Sequence, residues 1–105
     1  MVFFMIKFGF IYAMPGYVGE DFHCVKNNLS EFYCVSVDFM NRDAAVSVAE
    51  RLVNEYGVKM IELCGGLANC DLVAKVKQAV GDGVSVGQVM YGPEYRKTLV
   101  KYLGL

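Results

Sequence analysis

Apolar positions along this chain fall into short runs of changing period, separated by glycine and proline. From Met5 to Ala13 nearly every residue is apolar, and Phe, Ile and Tyr dominate, which is the composition of a buried strand. Met14-Pro15-Gly16-Tyr17 breaks it. Phe22, Val25 and Leu29 then recur at helical spacing behind Glu20 and Asp21, two acids suited to a helix N-terminus, so a first helix is predicted over about Glu20 to Leu29. Phe32 to Val37, FYCVSV, reads as a second strand that stops near Asp38.

The second half is more regular. A helix capped by Asn41, with Ala45, Ala49, Leu52, Val53 and Tyr56 on one face, stops at Gly57. Val58 to Cys64 is a third strand, apolar apart from Lys59 and Glu62. A third helix follows Asn69, turns Leu72, Val76, Ala79 and Val80 inward and ends at Gly81; Val84 to Met90 is a fourth strand. Pro93 opens a last helix with Tyr95, Leu99, Val100 and Leu103 on its buried side.

Strands that alternate with helices pair in parallel, because a parallel neighbour needs a crossover. The expected fold is α/β: one three-layer domain over residues 1–105, with four mostly parallel strands in the order 2-1-3-4 and helices on both faces. Without the first helix, strands one and two become antiparallel and the alternative is an α+β sandwich with a mixed sheet.

Composition sharpens this. Hydrophobic residues make up 55% of the 105, high for so small a domain, so apolar surface is expected to be buried in a homo-oligomer as well as under helices. The net charge of −1, with no basic run, argues against nucleic acid and acidic membranes. The apolar opening MVFFMIKFGFIYAM is 14 residues long and contains Lys7; it is too short to span a bilayer and makes a poor signal peptide. Four cysteines (Cys24, Cys34, Cys64, Cys70) match neither a zinc ribbon nor a C-x-x-C pair, so reduced thiols and a cytoplasmic location are expected.

In a parallel sheet, ligands bind beyond the carboxyl ends of the strands where the order reverses. That places Pro15, Gly16 and Tyr17 opposite Cys64, Gly65 and Gly66, with Asp38 on one flank and Gln88, Tyr91 and Glu94 on the other. Seven acids (Glu20, Asp21, Asp38, Asp43, Glu62, Asp71, Glu94) lie near this edge against Arg42 and Arg96, a poor balance for a polyphosphate. Several of those acids equally serve to offset helix dipoles.

Glu62 interrupts an apolar strand and shares a face with Cys64. It is a candidate general acid or base, or else a carboxyl that caps loop amides or pairs with Arg96. Cys64 before two glycines sketches a nucleophile with amide donors beside it and His23 as its base; otherwise it is a small buried residue. A metal site from Cys64, Cys70, His23 and Glu62 lacks supporting spacing, and no nucleotide-binding glycine motif occurs, so neither metal nor cofactor is expected. Tyr12, Tyr17 and Tyr91, beside Met14 and Met90, suit a pocket for a small, partly apolar molecule or a subunit contact.

The strings KFGFIYAMPGY, MIELCGGL and VGQVMYGPE, with I-E-L-C-G-G and Y-G-P-E the specific parts, resemble a family of small prokaryotic α/β proteins of unknown function over nearly the whole chain. The resemblance implies a compact α/β fold and a prokaryotic cytosolic setting, and it implies no activity. The function expected is a small-molecule-binding or accessory protein acting as a homo-oligomer; the alternative is a small isomerase, lyase or hydrolase using Cys64 or Glu62.

Overall fold

Five strands make one sheet in a computed structural model that describes residues 5–104. They are β1 (Ile6–Tyr12), β2 (Asp21–Lys26), β3 (Ser30–Ser36), β4 (Met60–Leu63) and β5 (Ser85–Gln88). Three α-helices accompany them: α1 (Ala44–Tyr56), α2 (Cys70–Val80) and α3 (Arg96–Leu103). The order is β2-β3-β1-β4-β5, with β1 parallel to β3 and β4, β4 parallel to β5, and β2 antiparallel to β3. Residues 1–4 of the apolar opening lie outside the described residues.

The expected first helix is therefore a strand, and the mixed-sheet alternative is the one that fits. Over 21–26 the side chains alternate: Phe22 and Cys24 pack against the core, while Asp21, His23 and Val25 are exposed. The turn after them is fixed by Asn27, whose side-chain oxygen accepts from the amides of Leu29 and Ser30 at 2.8 and 2.9 Å. β3 then inserts between β2 and β1. The count of four strands and the order 2-1-3-4 give way to five with a hairpin strand at the edge.

Helices on both faces also give way. α1 and α2 pack against each other and cover one face of the sheet, where Ile11, Val35, Val37, Ile61 and Leu63 are buried. Gly9 lets that layer approach: a Cβ there would sit 2.9 Å from Cδ1 of Leu52 in α1. Among the described residues no helix lies over the opposite face, so the domain has two layers. α3 has no buried residue, and Tyr95 and Leu103, expected inside, are more than half exposed. Ala79 of α2 is exposed as well.

Helix ends follow local chemistry. Asn69 caps α2 by accepting from Leu72 N at 2.8 Å, and Gly57 ends α1 at φ 75°. Asn41 does not cap α1; the helix starts after Asp43, and Asn41 contributes only its carbonyl, to Ala44 N. At the other end of α1, Lys7 Nζ donates to Tyr56 O at 2.8 Å, a cation on the last carbonyls of a helix.

Candidate functional site

The carboxyl ends of β3, β1, β4 and β5 lie side by side along one rim, tied by backbone bonds: Val37 N to Tyr12 O, Cys64 N to Ile11 O and Val89 N to Leu63 O, each 2.9 Å. Near the β1–β4 boundary the packing is tight. A side chain at Gly66 would meet Ala13 O at 3.1 Å, and the Cys64 sulfur accepts from Ala13 N at 3.4 Å. The expected cleft between these strands is narrow at Gly66, and the half-buried Cys64 extends the ladder of β1.

Other rim residues group around Tyr17. Its ring meets Tyr12 edge-on at 5.5 Å, and its carbonyl accepts from Phe39 N at 3.1 Å. Asp38 turns the chain by accepting from the amides of Met40 and Asn41. Beyond it Phe39, Met40, Asn41, Arg42 and Asp43 line an open hollow of about 380 Å3, with the Arg42 guanidinium 4.5 Å from the centre of the Phe39 ring. Pro15, Gly16, Gln88, Tyr91 and Glu94 are exposed on the same rim, and the Glu94 carboxylate folds back over Gly92. The rim is less acidic in effect than its sequence count: Arg51 pairs with Glu20, and Lys75 reaches Asp43 at 3.8 Å.

Glu62 belongs elsewhere. It lies half-buried on the uncovered face, one row below Cys64, between Phe10 on β1 and Gly87 on β5. Among the described residues it has no ion pair or hydrogen bond, and Arg96 is not its partner. His23 shares that face but sits on β2, three strand spacings from β4, about 14 Å. It cannot act as a base for Cys64, because the helix that was to carry it there is an edge strand. Among the described residues no group of three His, Cys, Asp or Glu side chains is placed to hold a metal ion.

The uncovered face was missed as a feature in its own right. The sheet register places Val25, Phe32, Phe8, Met60 and Ser85 in one row, and His23, Cys34, Phe10, Glu62 and Gly87 in the next. Phe8 meets Phe32 edge-on at 5.3 Å, and Phe10 stacks on Tyr12 at 6.1 Å. Burial pushes the Cys34 thiol up, so it stays protonated beneath these rings. Burial and the neighbouring Tyr17 likewise raise Tyr12. The signal in the sequence was an imbalance within β1, where Phe8, Phe10 and Tyr12 alternate with the smaller Gly9 and Ile11.

These features define a two-layer α/β domain with a mixed sheet, one face closed by helices and the other open and aromatic. The chain belongs to DUF6506, a family of unknown function, whose profile matches residues 6–104. No curated protein matches it. Among the described residues no helix is long and apolar enough to cross a membrane.

Proposed function

We propose that the chain is an accessory or small-molecule-binding subunit that works as a homo-oligomer, assembled through the open face of its sheet. One observation carries this reading: Phe8, Phe10, Phe32 and Met60 lie together on a face that no helix among the described residues covers, and Phe32 and Met60 are each 38% exposed. A contiguous apolar patch on a small domain is a contact surface. Aromatic rings on an open sheet also stack nucleic-acid bases, but this face carries Asp21 and Glu62 and no strand lysine or arginine to meet phosphates.

The ligand seat is the rim hollow of Phe39 to Asp43 beside Tyr17, whose size falls within the range for a small molecule. A small, partly apolar compound suits its lining, with Asp38, Gly65, Gly66 and Tyr91 further along the rim. Four free thiols fit a reducing, cytoplasmic setting. The enzyme reading keeps Glu62 and Cys64; the Ala13 amide donates to the Cys64 sulfur, which favours its thiolate, but His23 is not at hand as a base.

Sedimentation equilibrium and a thermal-shift screen of small metabolites test the two parts. A mass above one chain is expected, along with a stabilising compound whose effect disappears in Tyr17→Ala. A monomer at micromolar concentration removes the assembly, and a screen with no stabiliser removes the ligand.

A further inference from the structure

Resting on the homo-oligomer reading above, we infer that two copies pack sheet against sheet about a two-fold axis running along the strands between β1 and β3, where His23 of each copy hydrogen-bonds to Glu62 of the other. The occupant of the open face is the same face of a second copy.

The face itself sets the centre of the contact. Phe8 and Phe10 on β1 and Phe32 on β3 lie in its middle, and Val25 and Met60 flank them on β2 and β4. Val25 is 69% exposed, and Ile6, at the start of β1 on the same side, 53%. The acids and the one histidine sit at the margins: Asp21 and His23 on β2 and Glu62 on β4, with no Lys or Arg at an outward strand position. His23 and Glu62 share one row, with Cys34 and Phe10 between them.

That row selects the axis. With a two-fold along the strands between β3 and β1, the strands β2-β3-β1-β4 of one copy lie over β4-β1-β3-β2 of the other. Phe8 then covers the partner's Phe32, Phe10 covers the partner's Cys34, Val25 meets the partner's Met60, and His23 meets the partner's Glu62. Moving the axis by one strand carries Glu62 over Phe10 in one direction and off the partner's sheet in the other. An axis across the strands lays β4 over β4, whose outward side chains are Met60 and Glu62.

The pairing answers a need of Glu62. It is half-buried and, among the described residues, has no ion pair or hydrogen bond, so a second sheet that takes its remaining water must bring a donor. The His23 side chain is 63% exposed, and Asp21, 3.4 Å from Nε2, engages one ring nitrogen and leaves the other for the partner. Asp21 itself lies one row further along β2, exposed at the sheet edge, where it keeps its water. Packed sheets lie about 10 Å apart, a gap that a histidine and a glutamate reaching from opposite sides close.

Area sets the strength. β1 and β3 run seven residues, β2 six and β4 four, so these strands present roughly 380 Å2 in plan, and two copies cover about twice that. Side-chain relief adds to it, and the total stands at the low end for a specific contact. A monomer–dimer equilibrium is expected rather than a permanent dimer.

Sedimentation equilibrium of the full chain over a micromolar concentration series tests this, with circular dichroism melts to show that each variant is folded. The parent is expected to rise towards twice the chain mass. His23→Glu and Glu62→Lys each turn two attractive contacts per dimer into repulsive ones, and each alone is expected to raise the dissociation constant about tenfold. An equal mixture of the two is expected to regain the parent's association, because both opposed pairs in the mixed dimer then join unlike charges. Lys26→Glu, on the same strand but the other side of the sheet, is expected to leave association unchanged. Should Glu62→Lys fail to fold, His23→Arg at the exposed edge reads the same contact and is expected to tighten association about fivefold. Association indifferent to His23, weakened equally by Lys26→Glu, or not restored on mixing overturns this packing while the homo-oligomer stands. A monomeric parent overturns both.

Discussion

Glu31, Tyr33 and Lys7 share the helix-covered side of the sheet near its amino end, and their coupling sets how stability depends on pH. Tyr33 is buried and donates its hydroxyl to Glu31, while Lys7 Nζ lies 3.7 Å from the same carboxylate. That hydrogen bond, helped by Lys7, holds the Glu31 carboxyl below its ordinary 4.5. Burial, followed by Glu31, pushes the Tyr33 phenol well above its ordinary 10.0. Below pH 4.5 the unfolded chain binds a proton that folded Glu31 refuses, so its contribution is lost as pH falls through the folded value. Above pH 10.0 folded Tyr33 keeps a proton that the unfolded chain releases, so stability falls as pH rises. Urea unfolding across pH is therefore expected to show a shallower acid decline in Glu31→Gln and a shallower alkaline decline in Tyr33→Phe. Unchanged slopes in either variant would contradict that assignment. Gly9 is a second residue whose role is local. Its missing Cβ faces Leu52, which is fully buried and has no room to yield. Gly9→Val is expected to lower stability by about 1–3 kcal/mol through overpacking, read as a lower urea midpoint at constant slope.

At the scale of elements, one side chain braces the turn of the β2–β3 hairpin. Asn27 Oδ1 accepts from Leu29 N, Ser30 N and Ser30 Oγ, and this adds to the backbone bond from Asn27 N to Ser30 O that closes the turn. Asn27→Ala is expected to cost about 1–2 kcal/mol and to raise amide exchange across 21–36 more than in β4. Equal exchange throughout would mean that the turn is held by packing. This hairpin is also where the sequence misled. Phe22, Val25 and Leu29 satisfy a helical period, yet Phe22 and Cys24 satisfy the strand period, and six residues cannot separate the two. The pair Asn27-Asn28, inside the predicted helix, is a turn signal between two strand-like runs and went unused. Helices α1 and α2 were legible because their apolar stripes run for three turns and end at Gly57 and Gly81. α3 has an equally clear stripe, but a stripe says only that a face needs covering, not which chain covers it. The rim was legible from the parallel pairing of β1, β3 and β4. The tight approach of Gly66 and Cys64 to Ala13 was not, because close backbone approach leaves no pattern in a single sequence.

For the whole molecule, the two faces of the sheet assign opposite fates to adjacent residues of one strand. Ile11 points into the helix layer and is fully buried among Val35, Leu52 and Ile61. Phe10 points to the open face, half-buried between Cys34 and Glu62. An aspartate at position 11 would put an unpaired carboxylate in the core, at a cost of several kcal/mol beyond the lost apolar contacts. A domain of this size holds about 5–15 kcal/mol in total, so Ile11→Asp is expected to abolish cooperative unfolding. An aspartate at position 10 remains reachable by water in the single chain and is expected to cost about 1 kcal/mol there. It lies opposite Glu62 on β4 of the same chain, and it replaces the Phe10 ring by a charge on the apolar surface that an assembly would have to cover. Phe10→Asp is therefore expected to melt cooperatively as a folded monomer under conditions in which the parent assembles. Circular dichroism melts paired with sedimentation read both outcomes at once. A folded Ile11→Asp would mean that the helix layer does not close that face, and an assembled Phe10→Asp would mean that copies meet through some surface other than the aromatic one.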